Sequence, residues 1–171
     1  AARAMRATAW VAAAAATSAA TWGVAAPSTG LAAWPECAED ASCLFTSSEL
    51  EQFLGDQEDG AILLSVVSYV FNVTAAPHYY SRKGSYASLA GRDASRCLGT
   101  MSMEDEDATT HNLADLEEEQ WEELFSWVDK FQEKYALVGR LVDWQPGVSL
   151  EEINEKSGFS LKAPTQIPAT S

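Results

Sequence analysis

The chain has 171 residues, room for one domain of about 100 to 150 residues with an extension at each end. Hydrophobic residues make up 47% and aromatics 10%, which supports a packed core and argues against a globally disordered chain. The formal charge of −14 repels phosphate backbones and argues against nucleic-acid binding.

Residues 7–26 carry no charge and follow Arg3 and Arg6. Twenty uncharged residues are about the length that spans a bilayer as a helix. Three readings stay open: a retained membrane anchor, a signal or transit segment, and a merely Ala-rich helix, lumen-facing or partner-bound. We take residues 1–26 as a hydrophobic membrane-anchor segment. As a single-pass anchor it holds Arg3 and Arg6 on the cytoplasm-equivalent side, with the acidic domain on the lumenal or intermembrane side. A secretory compartment, a mitochondrion and a plastid all fit.

Residues 27–44, with Pro27, Gly30 and Pro35, read as a linker. Cys37 and Cys43 fall at its end and suit either a small-loop disulfide in an oxidising compartment or two free thiols. Cys97 reads as a small core residue. No CxxC occurs, so zinc-ribbon and thioredoxin-type sites lapse.

A folded domain is expected over residues 45–144. Thr46-Ser-Ser-Glu49 fits a capping box and predicts a helix over 47–54, ended by Gly55. Residues 61–73 are aliphatic and aromatic without Pro or Gly, and predict two strands joined by a turn near Ser68. Residues 77–84 read as a polar and aromatic loop. Residues 86–98 predict one or two short helices, broken at Gly91, with Asp93 as an N-cap and Arg92 as its surface partner.

Residues 101–112 are acidic, lack periodicity and read as an exposed loop. The run 104–107 lacks the spacing of a calcium loop. From Leu113 to Tyr135, apolar residues recur at three- and four-residue steps and predict one long helix, with Glu117–Glu119 in its early turns. Residues 136–142 read as a closing strand. Residues 145–171 form a tail with one short helix over 149–156, capped by Ser149. No repeat, GxGxxG, phosphate loop or HExxH is present. No catalytic constellation emerges, and we expect a protein that is not an enzyme.

One set of motifs is specific. Phe45-Thr-x-x-Glu49-Leu50 opens the domain and Tyr69-Val-Phe-Asn-Val-Thr74 follows a strand. Tyr80, Tyr86 and Ala90-Gly-Arg-Asp-Ala-Ser-Arg96 come next, and Lys134-Tyr135-x-x-Val-Gly139-Arg-Leu141 closes the set. In order and spacing they resemble the cytochrome b5-like haem/steroid-binding domain of the membrane-associated progesterone receptor family, neudesin- and neuferricin-like proteins included. The resemblance covers about 100 of the 171 residues.

The resemblance implies an α+β fold, with a mixed sheet as the floor and short helices around a haem-sized cleft, preceded by a hydrophobic helix. It implies haem as cofactor, with iron bound by an axial Tyr86 and further contacts from Tyr80, Lys134 and Tyr135. Phenolate is a hard anionic ligand suited to ferric iron. His78, two residues before Tyr80, is placed to approach the iron, though a lone loop histidine is more often simply solvated, and His111 matches no ligand of the family. Asn72-Val-Thr74 matches a glycosylation sequon but coincides with the family's strand-end motif, so we expect it unmodified. Where the family's loop between the two tyrosines carries Gly-Pro and several glycines, this chain has Ser81-Arg-Lys-Gly-Ser85.

Two functions follow as expectations. The first is a membrane-anchored haem-binding protein of the progesterone-receptor-component type. The second is an accessory structural subunit of a large membrane complex, with protein partners and the same fold but no haem. Steroid binding is implied only by the family's name.

Overall fold

A computed structural model describes residues 41–55 and 60–158. The hydrophobic segment 1–26, most of the 27–44 linker and the end of the tail lie outside these described residues. Among the described residues no helix is long and apolar enough to cross a membrane.

Four strands form one mixed sheet in the order β1-β4-β3-β2. They are β1 (Cys43–Phe45), β2 (Leu63–Val66), β3 (Tyr69–Asn72) and β4 (Ala136–Leu141). β1 runs parallel to β4, and the other pairs are antiparallel. The turn expected near Ser68 is a two-residue hairpin with both Val67 (φ 50°) and Ser68 (φ 64°) left-handed. A β-branched Val is costly there. Ser95 Oγ accepts the Val67 amide at 2.7 Å, and Leu141 N donates to Ser68 O at 2.8 Å, so the strained turn is tied from two sides.

α1 (Ser47–Leu50) opens on the predicted capping box, with both reciprocal bonds made. It is shorter than expected. Gly55 turns left-handed (φ 66°), and Leu54 pairs with Ile62 instead of continuing the helix. Residues 77–84 are not all loop: Pro77 starts a helical turn, α2 (Pro77–Tyr80), where its missing N–H costs nothing. A 3-10 turn (Ala87–Leu89) and α3 (Ser95–Thr100) follow. The acidic stretch expected to be loop contains α4 (Asp105–Thr109), whose Ala108 is buried. Arg96 holds this stretch, bonding Asp107 at 2.7 Å and Asp115 at 2.6 and 2.9 Å.

The long helix, α5 (Glu118–Lys134), begins later than its apolar stripe. Leu113 and Leu116 are buried, yet Leu113 N donates to Pro146 O, and Glu117 with Gln120 forms the capping box. α6 (Leu150–Ser157) is capped by Ser149 and ends at a left-handed Gly158. Cys43 is disulfide-bonded, with its partner outside the described residues. Cys97 is a free buried thiol, pushed up to about 11 first of all by burial.

The sheet separates two cores. Leu64, Val66, Tyr69 and Phe71 face α3 and α5, packing with Leu98, Leu124, Val128 and Phe131. Leu63, Val70, Val138 and Leu141 face the other way, toward Phe45 and Leu50. Strand alternation accounts for the division. The open edge of β2 is covered by residues 91–94, through Gly91 N to Leu63 O, Ser65 N to Arg92 O and Ala94 N to Ser65 O.

Asp93 closes this edge. Its carboxylate is buried, accepting Ser95 Oγ at 2.6 Å, Ser95 N at 3.3 Å and Trp144 Nε1 at 2.7 Å. It is therefore not the N-cap residue itself, which is Ala94, nor half of a surface pair with Arg92. Burial pushes its carboxyl pKa up, and the Ser95 bond, the nearby His111 and the Trp144 bond oppose the shift.

Replacing Asp93 by Ala strands these donors and should cost about 2–4 kcal/mol in urea unfolding. The folded pKa lies above the unfolded value of 3.8, so the stability linked to Asp93 is complete below that pH and is lost as pH rises through the folded value. The wild-type margin over Asp93→Asn should therefore shrink as pH climbs from about 4 to about 7. A margin constant across that range would show that Asp93 is not shifted upward.

Candidate functional site

The predicted site residues come from two distant parts of the chain. α2 and the following loop supply Tyr80 and Tyr86, and the end of α5 supplies Lys134 and Tyr135. The fold brings all four together. Tyr80 is 6% exposed. Its ring centroid lies 6.2 Å from Tyr86, 6.0 Å from Tyr135 in an edge-on contact, and 6.5 Å from Phe131. Phe131 in turn sits 5.5 Å from Phe71 of β3 and 5.2 Å from Tyr135. The site is thus an outcrop of the main core, held from below by Phe71 and Phe131.

A fifth residue, Tyr79, belongs to the site and was not singled out in the sequence. Its ring is exposed and lies 5.9 Å from Tyr86 and 6.2 Å from Tyr80. Lys134 Nζ stands 5.5 Å from the Tyr79 ring centre and 5.4 Å from that of Tyr135, within reach of a cation–π attraction to both. Pro77 was the available signal. It starts a helical turn, in which neighbours Tyr79 and Tyr80 point to different sides, one outward and one into the core.

The phenols are not equivalent. Tyr80 is buried and hydrogen-bonded to Tyr135; burial first, then that bond, drives its pKa far above the ordinary phenol value. In the metal-free protein Tyr80 therefore stays a neutral phenol, fit to orient and hydrogen-bond. Tyr86 is half-buried and packs against the edge of the core. His78 is exposed, and its ring lies 4.1 Å from that of Tyr79, tilted by 46°. His111 lies elsewhere, lining a depression of about 270 Å³ beside Asp93 and Glu51. A shallower hollow of about 500 Å³ lies between α5 and α6, over Phe125, Asp129 and Lys156. Neither includes a tyrosine of the site.

The donor set fits haem. A phenol such as that of half-buried Tyr86 suits ferric iron, the exposed ring of Tyr79 suits a flat macrocycle, and the exposed Lys134 suits a propionate. Among the described residues no group of three or more His, Cys, Asp and Glu could hold a bare metal ion.

This architecture is that of the cytochrome b5-like domains. An Arabidopsis thaliana protein solved with a cytochrome b5-like fold superposes with a TM-score of 0.54 at 38% identity, covering 59% of this chain and 92% of that one. No protein-family model matches the chain. It is 40% identical over 98 residues to probable steroid-binding protein 3 of Arabidopsis thaliana, covering 57% of this chain and 97% of that protein. It is 32% identical over 121 residues to the cytochrome P450 regulator dap1 of Schizosaccharomyces pombe, covering 66% and 72%. Human membrane-associated progesterone receptor component 2 is 38% identical over 115 residues, covering 66% and 50%. The chain belongs to the family of steroid-binding and membrane-associated progesterone receptor component proteins.

A phenol-ionisation titration at 295 nm tests the separation of roles. Wild-type protein and Tyr80→Phe should give superimposable curves below about pH 11, because Tyr80 releases no proton there. A missing ionisation step in the variant would show that Tyr80 titrates like an ordinary phenol.

Proposed function

We propose that this protein binds haem, with Tyr86 as the axial iron ligand and Tyr80, Lys134 and Tyr135 as supporting contacts. The observation that carries the reading is the unequal pair of tyrosines. Tyr80 is held neutral in the core by burial and by Tyr135, whereas Tyr86 stands half-buried at the rim within ring contact of Tyr79 and Tyr80. Bound ferric haem would supply a Lewis-acidic iron that favours the phenolate of Tyr86. Tyr80 would keep Tyr135 in place through their hydrogen bond, and Lys134 would pair with a propionate.

The setting is a membrane. Relatives named as membrane-associated, and one named as a cytochrome P450 regulator, support a protein that works beside membrane partners, with residues 7–26 as its anchor. The accessory-subunit reading keeps the same fold and the same partners without the cofactor.

The test is a haem titration followed in the Soret region. Wild-type protein should take up one haem. Tyr86→Phe should lose the ferric phenolate spectrum and bind at least about tenfold more weakly, about 1.4 kcal/mol or more. Lys134→Gln should weaken binding less and leave the spectrum unchanged. If the spectrum with added wild-type protein stays that of free haem, the haem reading sinks and the accessory one is left.

A further inference from the structure

We infer that Gly84 is the positioning residue for Tyr86: the absence of a side chain at 84 lets the loop after α2 close onto the Tyr79 carbonyl and bring Tyr86 to the rim. The inference rests on the haem reading for its functional meaning, but its geometry stands alone. Tyr86 N donates to Tyr79 O at 2.9 Å, returning the chain to α2. Gly84 N donates to Ser81 O at 2.7 Å, and Ala87 N donates to Gly84 O at 3.3 Å. The loop is thereby folded on itself and leads directly into the 3-10 turn.

A Cβ built on Gly84 would overlap both the carbon and the oxygen of the Tyr79 carbonyl and would lie 3.0 Å from His78 O. These are backbone atoms, which cannot swing aside as a side-chain end would. Gly84 does not have a left-handed backbone, so the need for glycine here is close approach and not handedness. The blocked carbonyl is the same one that holds the Tyr86 amide. A side chain at 84 therefore opens the loop at the bond that places Tyr86, while Tyr80, Lys134 and Tyr135 keep their own supports in α2 and α5.

The experiment follows amide hydrogen exchange and haem titration on the full chain, for wild-type protein, Gly84→Ala and Ser85→Ala. Exchange is measured without haem. The expected result is at least a tenfold faster exchange at Tyr86 in Gly84→Ala and at least a tenfold weaker haem binding. Protection of β3 and β4 should be unchanged, and Ser85→Ala, at an exposed neighbour, should match wild type. If Gly84→Ala keeps both Tyr86 protection and haem affinity, the inference is overturned. It is also overturned if protection collapses throughout β3 and β4, because Gly84 then supports the whole fold. If wild type takes up no haem but the Tyr86 amide still responds to Gly84→Ala, the haem reading fails and the positioning role stands.

Discussion

The buried carboxylate of Asp93 is the constraint on which the rest of the arrangement depends. It gathers Ser95 at the start of α3 and Trp144 beyond β4. Ser95 Oγ both donates to Asp93 and accepts the amide of the left-handed Val67. One small polar knot therefore joins the hairpin turn, the start of α3, and the segment that follows the last strand. A buried charge is tolerable only when such donors replace water.

From that knot the order passes to the site through packing. α3 lies against α5, close enough that a Cβ on Gly99 would meet Gln120 O at 3.2 Å and Leu124 Cβ at 3.5 Å. α5 then carries Phe131 into the core and Lys134 and Tyr135 to the rim. On the sheet side, Phe71 meets Phe131, and Tyr80 meets both Phe131 and Tyr135. The aromatic site is continuous with the core, and its rigidity comes from burial beneath it.

Charge distinguishes the site from the remainder of the surface. The chain carries 25 acidic residues against 11 Lys and Arg, yet Lys134 stands at the tyrosines and Arg82 and Lys83 lie in the loop between Tyr80 and Tyr86. The loop departs from the glycine-rich pattern of the family, but it retains Gly84 at the point where the backbone passes against Tyr79.

The sequence by itself determined the local features. The capping box at Thr46 and the cap at Ser149 form as written, because they need only neighbours three residues apart. The aliphatic run divides at Ser68, and the apolar stripe through Phe131 faces the core. Motif order and spacing singled out Tyr80, Tyr86, Lys134 and Tyr135, and the fold brings them together. Tertiary structure decided the remainder. Periodicity marks which residues are buried but not their backbone state, so Leu113 and Leu116 lie in the stripe yet precede the helix, held by Pro146. Tyr79 was hidden because its role depends on Lys134, which approaches only when α5 folds over α2. Asp93 read as a local cap, and its bond to Trp144, 51 residues away, exists only once the chain has closed. The difference between Tyr80 and Tyr86 is likewise a matter of depth: Tyr80 is buried against Tyr135, which drives its phenol pKa upward, while Tyr86 stops half-buried at the rim.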